Sequence, residues 1–190
     1  IAAVTNVRTG QPESGLRSRG ELVRRAAAAD PLHAEMQSLQ DEAAHYGRFN
    51  LLAYDGARLW YAGNHPEARL CAVDDGVHTL SNAALDTPWP KTQRLHAVMS
   101  AWLADEATDI APLFAALADP RTAADTDLPR TGVPMDWERR LSAAFIVGAD
   151  YGTRASTVVL VADDHVRFVE RRFGPHGGAL GDTDRIIERA

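Results

Sequence analysis

Two tight-turn signatures constrain what this chain can fold into more than any other feature. "FNLLAY" (residues 49–54) and "RLWYA" (58–62) flank Asp55-Gly56, while "ARLCAV" (68–73) and "VHTLS" (77–81) flank Asp74-Asp75-Gly76. Aspartate followed by glycine tolerates the left-handed backbone of a hairpin turn, and the flanks are rich in strand formers. The expectation is a meander of antiparallel strands. A strand over residues 1–7 precedes it. Strands over 145–149, 155–162 and 166–173 close the chain, the last two joined across Asp163-Asp164-His165.

Helical patterns fall in blocks between these strands. "SRGE" (18–21) has capping-box spacing ahead of "LVRRAAAA". Asp30-Pro31 reads as an N-cap and an N1 proline, and Leu32, Met36, Leu39 and Ala43 follow at helical spacing. Leu95, Val98, Met99, Trp102 and Leu103 form a second stripe, and Ile110, Leu113, Phe114 and Leu117 a third, capped by Asp109. Residues 119–134 read as a polar loop, and a short helix is expected within 135–145. Strands group with strands and helices with helices, which excludes a doubly wound parallel sheet. An α+β architecture of two sheets with helices packed outside them buries every apolar face. Residues 1–173 are expected to form one domain, and 174–190, glycine-rich and then charged, a tail outside the core. Ile1 opens a core strand directly, so the N-terminal part of the domain is expected to precede it.

Composition narrows the function. The 190 residues carry a net charge of −6, which disfavours a general grip on nucleic acid or anionic lipid. No run of 18 apolar residues occurs, so membrane insertion is not expected. Cys71 is the single cysteine, which rules out a disulfide or a thiolate cluster within these residues and suits a reducing, cytoplasmic setting. P-loop, GxGxxG, HExxH and GxSxG motifs are absent.

Chemistry concentrates at strand ends. In "GVHTLSNAALDTPWPK" (76–91) a Ser81-Asn82 pair ends an apolar run and a Pro-Trp-Pro segment follows. One reading is a turn, with Asp86 capping the next helix. The other places the Asn82 amide where it donates to a developing oxyanion. Residue chemistry alone favours the turn. Arg154, at the start of the 155–162 strand, suits a carboxylate, a thiolate or an acyl carbonyl, or an ordinary ion pair. Asn6, with Arg8, is a third polar strand end. The seven histidines show no shared ligand spacing. His78 and His96 adjoin the quoted segment and are the best placed for a metal or haem, although an exposed or locally satisfied ring is the commoner fate. Cys71, inside an apolar strand, reads as a buried structural thiol.

Taken together, "AAVTNVR", "RSRGELV", "FNLL", "GVHTLSNAALDTPWPK" and "YGTRASTVVLV…VRFVERRF" resemble the NRDE family from residue 1 to about 173. That resemblance implies a four-layer αββα sandwich of the N-terminal-nucleophile hydrolase type. In such a fold an exposed N-terminal cysteine is the nucleophile and its amine the base; Ile1 cannot take that part. By position Asn82 looks like the oxyanion donor, Arg154 like the nucleophile's support, and Asn6 like a weaker third member. The resemblance also links the chain to haem mobilisation and to lipid or acyl-CoA homeostasis. It implies a carrier of haem or a related amphipathic ligand, with no cofactor required. The alternative is a cysteine-type amidohydrolase or thioesterase acting on an acyl substrate. For the carrier, His78, His96, Trp89 and Arg8 are the candidate ligand contacts, and Tyr54, Trp60, Tyr61 and Trp102 are candidate wall residues.

Overall fold

A computed structural model describes residues 1–11, 13 and 17–189. The chain divides into two compact units, Ile1–Pro88 with Arg130–Val133, and Trp89–Pro129 with Pro134–Ala190.

The first unit is a four-stranded antiparallel sheet in the order β1 (Ala2–Asn6), β2 (Phe49–Tyr54), β3 (Leu59–Gly63), β4 (Arg69–Ala72). Helices α1 (Arg19–Ala28) and α2 (Leu32–Asp41) pack against it. The meander arises because Asp55 Oδ1 accepts the N–H groups of Ala57 and Arg58, both at 2.9 Å, closing the β2–β3 turn. Alternation then sorts the side chains. Phe49, Leu51, Ala53 and Ala62 face the helices and are buried with Leu22, Met36 and Leu39. Thr5, Asn50 and Tyr61, one step out of phase, project from the other face. Ser18 caps α1 by accepting from Gly20 N–H at 3.3 Å. Arg25 ties α1 to α2 through Glu35 at 2.6 Å and Ser38 at 3.2 Å. Gly10 (φ +63°) and Gly132 (φ +94°) let two loops touch; a Cβ on Gly10 would lie 2.3 Å from the Gly132 oxygen.

The second unit holds a three-stranded antiparallel sheet, β5 (Ala155–Val161), β6 (His165–Phe173) and β7 (Ala179–Glu188), in that order. Helices α3 (Pro90–Ala104), α4 (Ala111–Leu117) and α5 (Met135–Leu141) complete it. Its core is Leu113 and Phe114 of α4 against Val158 and Val169.

Several expectations need correction. Residues 174–190 are not a free tail, since β7 pairs with β6 from Phe173↔Ala179 to His165↔Glu188. Residues 77–81 and 145–149 are irregular rather than strands. Both are short apolar runs whose amides bond to loops, as when Phe145 N–H donates to Asp119 O at 2.9 Å and Ile146 N–H to Thr153 Oγ1 at 2.8 Å. Helix α2 begins at Leu32 with Pro31 as its cap, and Asp30 makes no cap hydrogen bond. The α3 stripe is broader than what covers it: Val98 and Trp102 pack on the core, whereas Met99 and Leu103 are exposed. No helix among the described residues is long and apolar enough to cross a membrane.

Candidate functional site

The 79–86 loop is built onto the outer face of the first sheet. Asn50 sits beside Thr5 in the β1–β2 register and is fully buried. Its Nδ2 donates to Thr5 Oγ1 at 3.2 Å and to Ala83 O at 2.8 Å, while its Oδ1 accepts from Tyr61 Oη at 2.8 Å. Thr5 Oγ1 donates to Ser81 O at 2.7 Å. Burial raises the Tyr61 phenol, which keeps it a neutral donor. Buried polar groups are tolerated only when paired, so this network fixes where the loop runs.

The loop also closes on itself. Asp86 N–H donates to Thr79 O at 2.8 Å, and Asp86 Oδ1 accepts Thr79 N–H at 2.8 Å. His78 Nδ1 lies 2.7 Å from Asp86 Oδ2, and its Nε2 lies 3.0 Å from Asp74 O. The Asp86 hydrogen bond raises the His78 pKa, with the Asp86 charge helping and burial opposing. Asp86 adopts a left-handed backbone, φ 61°, which aspartate tolerates. It therefore clasps the loop; the cap residue of α3 is Trp89, which makes no side-chain cap bond.

On this platform Asn82 reaches the end of β1. Its Nδ2 donates to Asn6 O at 3.0 Å and to Asn6 Oδ1 at 3.1 Å, and its backbone oxygen accepts Arg8 N–H at 2.8 Å. Ser81 Oγ donates to Asn82 Oδ1 at 3.4 Å. Asn6 is exposed, Asn82 half-buried and Arg8 buried. The oxyanion reading needs the Asn82 amide open; here Asn6 holds it. Hydrogen bonds to β1, with the Asn50 network beside them, position Asn82.

The other candidates belong to other elements. Arg154 belongs to the second unit and is exposed; its carbonyl accepts Phe173 N–H at 2.8 Å as β5 begins. The β5 strand alternates exposed and buried side chains. His96 sits on an exposed part of α3 with Nδ1 3.3 Å from Ser100 Oγ. Trp89 is buried at the start of α3. The aromatic residues do not form one wall. Trp60 faces the helix layer and stacks on His33 at 4.5 Å, while Tyr61 points from the opposite face. Tyr54 Oη donates to Gly56 O at 2.7 Å, and Trp102 Nε1 to Asp109 O at 2.7 Å. Both His78 nitrogens are engaged, so axial ligation of haem by His78 does not fit this arrangement. Cys71 is half-buried in β4, opposite Tyr61. No group of three or more His, Cys, Asp or Glu among the described residues is placed to hold a metal ion. The residues missed from sequence are Thr5 and Asn50, and Tyr61, a candidate wall residue, serves instead as the hydrogen-bond donor to Asn50. The available signal was the asparagine set between Phe49 and Leu51 in an otherwise apolar strand.

A Transport and Golgi organisation 2 family model matches residues 1–175. The chain belongs to that family. It is 32% identical to the Transport and Golgi organization protein 2 homolog of Bos taurus, over 90% of this chain and 67% of that protein. The Homo sapiens homolog is 31% identical and the Mus musculus homolog 30%, each with the same coverage. The matched region of the Transport and Golgi organisation 2 family includes both sheets up to the end of β6, together with Asn6, Arg8, Asn82 and Arg154.

Proposed function

We propose that this Transport and Golgi organisation 2 family member carries an amphipathic small ligand of the haem or acyl-lipid class in the cytoplasm. The polar end of the ligand, a carboxylate or carbonyl, docks on the Asn6–Asn82 amide pair, taking the Asn82 N–H that otherwise donates to Asn6 Oδ1. Arg8 anchors that pair through its backbone. The supporting observation is the meeting of the two carboxamides at 3.1 Å, at an accessible strand end, on a loop fixed by the buried Asn50. Amide N–H groups suit an oxygen acceptor, and a pre-ordered loop avoids the entropic cost of arranging them on binding. Haem on this reading is cargo held by its propionates, with no histidine of this chain as axial ligand.

Spectral titration of the full-length protein with haem, alongside a fatty acyl ligand, tests the reading. Asn82→Ala is expected to weaken binding roughly tenfold, since one lost charge-assisted hydrogen bond is worth about 1.5 kcal/mol. His78→Ala and His96→Ala are expected to leave the haem spectrum unchanged. Absence of saturable binding of either ligand, or a spectrum set by a histidine, would overturn it.

A second reading is hydrolysis of an amide or thioester on an N-terminal-nucleophile hydrolase-like αββα fold. The contact of the Asn82 amide with the end of β1 favours it. The Asn82 amide would then exchange Asn6 for the developing oxyanion. Loss of such a donor lowers kcat by about 100-fold or more. Asn82→Ala thus separates the readings: a carrier loses affinity, a hydrolase loses turnover.

A further inference from the structure

The end of α5 presents an arginine between two exposed aromatic rings. The Arg140 guanidinium lies 5.2 Å from the centroid of the Trp137 ring and 5.4 Å from that of Tyr151. The two rings meet edge to face, 5.2 Å apart at 81°. All three residues belong to the second unit. Trp137 is 39% exposed, Tyr151 47%, and Val147, in the same loop as Tyr151, 50%. The cluster is thus an open surface rather than a packed core.

The guanidinium is fixed in place without being neutralised. Its Nη2 donates to Tyr151 O, and Gly148 leaves the room for this, since a Cβ there would collide with Nη2. Both rings hold the cation as well. Arg139, its neighbour in sequence, pairs with Asp125 at 2.7 Å and with Asp136 at 2.8 Å. Arg140 enters no ion pair with any described residue, and its Nε and Nη1 have no acceptor among them.

We propose that this cluster docks a weakly acidic segment of a partner protein, with an aspartate or glutamate carboxylate on Arg140 and an adjoining apolar side chain against Trp137. An arginine that is already oriented and lacks a counter-ion gains a carboxylate partner at little ordering cost. Trp, Tyr and Arg are also the side chains that dominate the energetics of protein–protein contacts. One cation matches the single charge of a carboxylate, whereas a phosphate dianion calls for more. The net charge of −6 works against nucleic acid and anionic lipid surfaces, and acts far less on a segment with one carboxylate.

An NMR titration of the full-length protein, followed at the Trp137 indole N–H, tests this. The probe is a leucine–aspartate–leucine peptide, acetylated and amidated so that the aspartate carries its only charge. A saturable shift with a Kd on the order of 1 mM is expected. The same peptide with asparagine in place of aspartate should bind at least about tenfold more weakly, a comparison that needs no change to the protein. Arg140→Gln should weaken the aspartate peptide to a similar extent and leave the asparagine peptide unaffected. Arg139→Gln should change neither. The proposal is overturned by absence of saturation, by equal affinity for the two peptides, by equal weakening in the Arg139 and Arg140 variants, by a shift that follows protein concentration rather than peptide, or by a larger shift with phosphatidylserine vesicles than with the aspartate peptide.

Discussion

Asn50 shows how a single side chain can determine a site it never presents to solvent. It is fully buried, yet its amide bonds to Thr5 and Ala83 and its carbonyl to Tyr61. Asn50→Ala would leave the Tyr61 hydroxyl and the Ala83 oxygen without these partners. The expected cost is about 1–3 kcal/mol in urea unfolding, together with faster proteolysis within residues 79–86. An unchanged midpoint would mean the network does not hold the loop. His78 provides a pH dependence. Its folded pKa is raised above the ordinary histidine value, because the Asp86 hydrogen bond favours the charged ring. The clasp therefore contributes fully below the unfolded value, and its contribution is lost as pH rises through the folded value. Hydrogen exchange at Thr79 and Asp86 should show protection falling over that rise, and His78→Ala should abolish the trend. From the sequence, Asn6, Arg8 and Asn82 were identifiable because each is polar at the end of an apolar run. Their mutual bonding was not, since it depends on a loop crossing a sheet face 76 residues away in sequence.

At the scale of elements, the regular pieces were readable where local chemistry and packing agree. The Asp55-Gly56 turn and the Leu32–Met36–Leu39 stripe are examples, and both are found where the pattern places them. Residues 77–81 misled because their apolar alternation looks like a strand, while Asp86 and Thr5 take up the loop's hydrogen bonds. The β7 strand was missed for the opposite reason. Nearly all of it is exposed, and it is held by backbone pairing to β6 and by ion pairs such as Arg167–Asp184 at 2.7 Å, which leave no apolar periodicity. Gly63 carries an element-level prediction. It lies opposite Asn50 in the β2–β3 register, and a Cβ there would approach Tyr61 Oη to 2.9 Å and Asn50 Oδ1 to 3.3 Å. Gly63→Ala should force the Tyr61–Asn50 bond apart and destabilise the first unit by about 1–3 kcal/mol, read as a lower thermal midpoint. A neutral effect would show that the strand end has slack.

On the scale of the whole molecule, the chain is two compact units, each a sheet with helices against it. The first bears the amide pair. The chain covers 67% of the length of its Bos taurus relative. What this chain contributes to the carrier reading is the joint action of Asn6 and Asn82, and a double-mutant cycle on haem affinity in the full-length protein tests that most directly. If the two amides hold the ligand as a pair, Asn6→Ala and Asn82→Ala each weaken binding, and the double variant binds about as weakly as either single one. That outcome corresponds to a coupling within the range of about 0.5–3 kcal/mol found for directly bonded residues. Strictly additive losses, or affinities equal to that of the unaltered protein, would contradict the account.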